Sequence, residues 1–249
     1  LTGVHEMGVS PAADAVLRDL DARGELRLRV HGYADQTWFE GQLGERAPDP
    51  PDPAARYRLI GVKIYVDGAL GSRGAALLAP YRDRPDHTGL LLMDDAALDA
   101  LCDRALPRGW QVAAHAIGDR AARAVLDAYA RALARHGGAD RRLRVEHAQI
   151  LDLADIPRFA ELGVVASVQP THATSDMPWV PDRLGPERLA GAYPWRALLD
   201  TGAVLALGSD FPVELPDPTH GLYAAITRQD PEGAPPGGWL PGQRLSLDE

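Results

Sequence analysis

Seven short apolar runs alternate with helical segments along the chain, and this alternation constrains the fold more than any other feature. A short apolar run bounded by Gly, Pro or Asp reads as a buried strand, and strands separated by helices pair in parallel. The runs lie at residues 2–7, 26–33, 61–66, 111–114, 142–146, 164–168 and 204–207. Helices are predicted at 11–22, 94–106, 119–135, 152–162, 195–201 and 219–228. Ser10 before Pro11 supplies an N-cap and a first helical residue. Ala121, Ala122, Val125, Leu126, Tyr129 and Leu133 form one face of the third helix. Residues 67–92 and 173–194 have no period and read as long loops, which at a barrel mouth are usually functional.

The fold class is therefore α/β, with a (β/α)8 TIM-type barrel as the best fit. A doubly wound open sheet is the alternative, but no Gly-rich dinucleotide fingerprint follows the first strand. A closed barrel needs an eighth strand. The chain starts inside a strand-like run at Leu1 and stops at Ser246-Leu247-Asp248-Glu249, which resembles a helix cap and first turn. Residues 1–249 are accordingly read as one barrel domain incomplete at both ends, with the missing strand expected before Leu1.

A net charge of −9 argues against nucleic acid or an anionic membrane as partner. Cys102 is the only cysteine, so no intrachain disulfide can form. It sits in a helical pattern without the positive surroundings of a reactive thiol, and reads as a small buried apolar residue. No apolar run is long enough to span a membrane. The expected partner is a small-molecule substrate, in a cytoplasmic protein compatible with a homodimer.

Four of the strand-like runs end at or near a group that can bind metal. These are Lys63, His115, His147 and Asp210. The strands of a (β/α) barrel point their C-terminal ends at one mouth, so residues distant in sequence can meet there. Histidine nitrogen and carboxylate oxygen suit Zn²⁺ or a similar divalent ion, which lowers the pKa of a bound water and polarises a carbonyl. A protonated lysine is a poor ligand, and becomes one only if CO₂ carbamylates it; otherwise Lys63 is a snorkelling or ion-paired residue. Either histidine alone would be an ordinary hydrogen-bonded core residue. Two histidines on consecutive strands, with an aspartate closing a later one, favour a metal site. Asp210 could instead cap a turn after Gly208-Ser209.

Several strings add a resemblance. They are Val62-Lys63-Ile64-Tyr65-Val66-Asp67-Gly68-Ala69-Leu70-Gly71-Ser72-Arg73, His115-Ala116-Ile117-Gly118-Asp119-Arg120-Ala121, Arg144-Val145-Glu146-His147-Ala148, Ser167-Val168-Gln169-Pro170 and Gly208-Ser209-Asp210-Phe211-Pro212-Val213. In this order they resemble the amidohydrolase superfamily, in particular its amidohydrolase-3, YtcJ-like branch, which includes N-substituted formamide deformylase. The resemblance implies a (β/α)8 barrel with one or two divalent ions, zinc foremost. It implies His115, His147 and Asp210 as ligands, and Lys63 as a carbamylated bridge in a binuclear site. Two family features are not found in the sequence: a His-x-His pair on the first barrel strand, and a small β-sandwich built from both chain ends.

The function expected is metal-dependent hydrolysis of amide-type, non-peptide C–N bonds through a metal-activated water. Asp210 would take the water's proton, and His147 or His172 would hold the developing oxyanion. Asp67, Arg73, His172 and Trp179 are candidate substrate contacts, with Tyr81 and Trp195 as weaker ones. His5 is read as structural or supporting, Asp119 and Arg120 as the start of a helix, and His31, His87, His136 and His220 as ordinary histidines. The alternative is a truncated, inactive barrel, or a small-molecule-binding fragment without the His-x-His ligands. A serine hydrolase using Ser167 or Ser209 ranks last, because no nucleophile-elbow motif is present.

Overall fold

Parallel strands need a long crossover between them, and helices supply it here each time the chain returns to the sheet. The computed structural model describes residues 1–138 and 140–248. Its strands are β1 (Gly3–Val9), β2 (Arg29–Asp35), β3 (Tyr57–Tyr65), β4 (Gln111–Ala116), β5 (Arg144–His147), β6 (Val165–Val168) and β7 (Leu205–Leu207). They form one seven-stranded sheet in the order β1 to β7, every pair parallel. A doubly wound sheet reverses its strand order at a switch point. The unbroken order excludes that alternative.

The helices are α1 (Pro11–Ala22), α2 (Gln36–Trp38), α3 (Asp95–Ala105), α4 (Asp119–His136), α5 (Ile156–Leu162), α6 (Pro170–Asp176), α7 (Val180–Leu184), α8 (Trp195–Asp200) and α9 (Pro218–Thr227). Ser10 caps α1 by accepting from the Ala13 N–H at 3.2 Å. The predicted face of α4 is the buried one, with Ala121, Ala122, Val125, Leu126 and Tyr129 in the core. Each large aliphatic buried there contributes about 1.5–3 kcal/mol. Tyr129 Oη lies 3.2 Å from Val112 O and 3.0 Å from Arg144 O, tying α4 to β4 and β5.

Several expected boundaries differ from what is observed: β2 begins at Arg29 rather than residue 26, and α5 at Ile156 rather than residue 152. The third strand starts at Tyr57 rather than residue 61, because the β2–β3 register shifts between Gly32 and Tyr33 and interrupts the alternation there. Residues 173–194 are not a plain loop. Pro170 and Pro181 occupy first-turn positions of α6 and α7, where a missing N–H costs nothing. At the C-terminus Leu247 and Asp248 form a turn, and Glu249 lies outside the described residues.

The pleat sorts the strands into two faces. Val62, Ile64, Val112, Ala114, Val145, Ala166 and Val168 are buried in the main core. The other face carries a row of residues in register, Tyr65, His115, Glu146, Ser167 and Ala206. Beneath that row lie Tyr33, Ile60 and Ala113, a second small cluster. Between the unpaired edges of β1 and β7 runs a cavity of about 710 Å³, lined among others by Val4, Met7, Arg144, Glu146, Ala206 and Asp210. No helix of the described residues is long and apolar enough to cross a membrane.

Candidate metal centre

Three side chains from three strand ends converge at the mouth. His147 closes β5, His172 lies in the first turn of α6 after β6, and Asp210 follows β7. One donor atom from each falls within 4.8 Å of the other two. His147 and His172 are buried and Asp210 is exposed.

The backbone makes this convergence possible. Ala116 pairs with His147, one step beyond the His115–Glu146 row. Strict alternation would therefore aim His147 to the opposite face from His115. Instead the rings lie 4.5 Å apart, edge to face. The chain breaks the pleat with left-handed backbone at His147 (φ 77°) and Ala148 (φ 44°), and Asp210 is left-handed too (φ 56°). Non-glycine residues held this way are strained and gather at functional sites.

Hydrogen bonds fix the rings. His147 Nδ1 lies 2.9 Å from Gln169 Oε1, and Gln169 Nε2 donates to Ser167 O at 3.2 Å. His172 and His147 stack at 6.0 Å, and Gln149 Nε2 lies 3.5 Å from His172 Nδ1. The Nε2 atoms of His115 and His172 are buried without a hydrogen-bond partner. Buried polar atoms are rarely left so, and an orphan commonly marks an unseen ion or water. The imidazole of His147 and the carboxylate of Asp210, with the His115 ring beside them, match the donor preference of a divalent ion such as Zn²⁺, so the residues present fit such an ion.

His115 stands next to this trio rather than in it. Its Nε2 is 3.5 Å from Asp67 Oδ1. Burial, aided by the charge on Lys63, pushes its imidazole down to about 4. Burial likewise holds His147 well below the usual range, with His115 and Lys63 adding to it. Lys63 is only 4% exposed, and burial lowers its amine to about 8 against the opposing pull of Glu146 and Asp210. Among the described residues its Nζ has no ion pair and sits 5.0 Å from the Tyr65 ring. Burial raises the Asp210 carboxyl above the ordinary value.

The remaining candidates are engaged in the architecture of the mouth. Asp67 accepts backbone N–H bonds from Ala76, Ile117 and Gly118 at 2.8–2.9 Å, stitching the long loop after β3 to the β4–α4 turn. Both carboxylate oxygens are thereby engaged in the fold and Asp67 is buried, so its contacts here are those of a structural anchor rather than of the substrate contact expected from sequence. Arg73 forks onto Asp83, which also pairs with Arg183. Arg183 stacks 5.6 Å from the Trp179 ring, and Trp179 faces Gly71. None of Asp67, Arg73 or Trp179 lines the large cavity. Tyr81 donates to Ala75 O and Trp195 packs on Arg228, both fully buried. The Ser167 hydroxyl accepts from Arg144 at 2.7 Å and has no hydrogen bond to a histidine among the described residues. Burial pushes the Cys102 thiol up to about 12, as for an inert core residue.

Sequence reasoning named His172 as a substrate contact and oxyanion candidate, and missed that its ring lies within 4.8 Å of the His147 and Asp210 donor atoms and that Gln169 and Gln149 contact the two rings. The signal was present in Gln169-Pro170-Thr171-His172, where a proline directly after a strand starts a helix and turns His172 inward.

Comparison with known proteins fits this geometry. Residues 1–249 match the amidohydrolase family. The chain is 42% identical to YtcJ of Bacillus subtilis (strain 168) over 168 residues, 68% of this chain and 31% of that protein. It is 30% identical to N-substituted formamide deformylase of Arthrobacter pascens over 263 residues, covering 100% of this chain and 46% of that protein. An uncharacterized metal-dependent hydrolase from Pyrococcus furiosus superimposes with a TM-score of 0.84 at 32% identity, over 99% of this chain and 48% of that one. The chain thus spans less than half the length of each of these relatives. The chain belongs to the amidohydrolase family.

Proposed function

We propose that the protein is a metal-dependent hydrolase of amide-type, non-peptide C–N bonds, working in a barrel closed by an eighth strand. The observation that carries this reading is the convergence of His147, His172 and Asp210 within 4.8 Å, beside His115. The amide-type substrate is supported by the likeness to N-substituted formamide deformylase, whose name specifies such a bond.

His147 and Asp210 would hold the ion, zinc being the best match to the donor set, with His115 and Lys63 available for a second one. When bound, the ion supplies an acidified water and polarises the scissile carbonyl. Asp210 acts as general base, taking the water's proton and passing it to the leaving nitrogen. Its exposure at the mouth and its raised pKa suit a carboxylate that must pick up a proton and give it away. His147 or His172 holds the charge developing on the carbonyl oxygen. Lys63 reacts with CO₂ through its neutral amine, forming an N–C bond and losing one proton. A pKa near 8 makes that neutral form far more abundant at physiological pH than in a free lysine. The eighth strand fits the groove between β1 and β7, whose walls expose Leu1, Leu207, Phe211, Leu215 and Leu222.

The test uses the full-length protein and a panel of N-formyl and N-acyl amines. Chelation should abolish hydrolysis and Zn²⁺ restore it. Asp210→Asn should lower kcat about 10²–10⁴-fold. Turnover that survives exhaustive chelation would refute the reading.

A further inference from the structure

His147 and His172 are neighbours at one mouth, yet each meets a glutamine by its Nδ1, and the two glutamines present opposite ends. The Gln169 amide is oriented by its own NH₂ group, which donates to Ser167 O at 3.2 Å. Its Oε1 therefore faces His147 Nδ1 at 2.9 Å, and only an Nδ1–H can satisfy that contact. The proton of neutral His147 is then on Nδ1, and Nε2 carries a bare lone pair. Gln149 presents its NH₂ to His172 Nδ1 at 3.5 Å, so that nitrogen is the acceptor and the proton lies on Nε2. His172 Nε2 is buried with no partner, in a ring beside the Asp210 carboxylate.

We propose that Gln169 and Gln149 are positioning residues that set opposite tautomers, making His147 a metal ligand through its bare Nε2 and His172 the Nε2–H donor to the substrate's developing oxyanion. The two roles rest on the hydrolase reading; the two tautomers do not. The oxyanion role, open between the two histidines on sequence grounds, then goes to His172. A bare Nε2 cannot donate, and a protonated Nε2 cannot ligate.

The tautomers can be read directly by long-range ¹H–¹⁵N correlation on full-length, metal-free protein labelled at histidine with ¹⁵N, with resonances assigned through His147→Gln and His172→Gln. Nδ1–H at His147 together with Nε2–H at His172 is expected. The same tautomer at both, or the reverse pair, would overturn the proposal. This spectrum requires neither glutamine variant to fold. Zn²⁺ titration against a competing chelator then tests the roles. Gln169→Leu should weaken Zn²⁺ binding roughly 10–100-fold, whereas Gln169→Glu, which still accepts from Nδ1–H, should restore it. Gln149→Leu should leave Zn²⁺ affinity unchanged. If Gln149→Leu weakens Zn²⁺ as much as Gln169→Leu, His172 is a ligand and the division of labour is wrong. Correct tautomers in a protein that binds no Zn²⁺ would overturn the assigned roles together with the hydrolase reading, while both glutamines would keep their positioning function.

Discussion

Lys63 shows at the scale of one residue how a site can cost its fold. Its amine is buried with no ion pair among the described residues, and its pKa falls from 10.5 to about 8. A pKa lowered on folding gives stability that is complete only above the unfolded value and disappears as pH falls through the folded one. At pH 7 the wild-type residue is therefore destabilising. Lys63→Met should raise the stability of the metal-free protein at pH 7 by up to about 3 kcal/mol and abolish hydrolysis. The stabilisation should shrink as pH rises from 8 past 10.5, as read by thermal unfolding across that range. His115 obeys the same sign at lower pH. Its imidazole is held near 4 against 6.5, so its contribution is full above pH 6.5 and is lost towards pH 4. Metal-free protein should lose Tm on acidification through that window, and His115→Gln should flatten the slope. An unchanged slope would mean that His115 titrates normally.

Single elements place these residues, and they differ in how far sequence reveals them. Strand ends were legible because parallel strands are apolar and are cut off sharply by Gly, Asp or His. His115 and Lys63 could be placed on that basis alone. His147 could be located but not aimed, since its orientation depends on a left-handed backbone at a non-glycine residue. The inward position of His172 depends on α6, in a stretch whose prolines disguised helix starts as loop. The role of Asp67 was hidden for a different reason: its partners Ile117 and Gly118 are 50 and 51 residues away, and no local pattern encodes such a contact. Asp67→Asn would set an NH₂ group against a backbone N–H, and should destabilise the protein by about 1–3 kcal/mol, measured by denaturant unfolding. Gly61 has a comparable structural reason. A Cβ there would lie 2.2 Å from the Tyr33 ring, so Gly61→Ala should cost about 1–3 kcal/mol through overpacking beneath the site.

For the whole molecule, the order β1 to β7 gathers every strand end at one mouth while leaving two edges facing a cavity of about 710 Å³. Unpaired strand edges flanked by exposed leucines invite aggregation unless covered. If an eighth strand fills the groove in the full-length protein, the outward amides of β1 and β7 should be protected from hydrogen exchange there and exchange rapidly in residues 1–249 alone. Equal exchange in both would contradict a closed barrel. On this reading the mouth holds a catalytic divalent ion. Elemental analysis of the purified full-length protein, alongside His147→Ala and Asp210→Ala, is the deciding measurement. One or two equivalents of a divalent metal in the wild type, lost or sharply reduced in both variants, is the predicted result. A wild-type protein free of metal after purification and Zn²⁺ dialysis, or variants that retain the full complement, would contradict it.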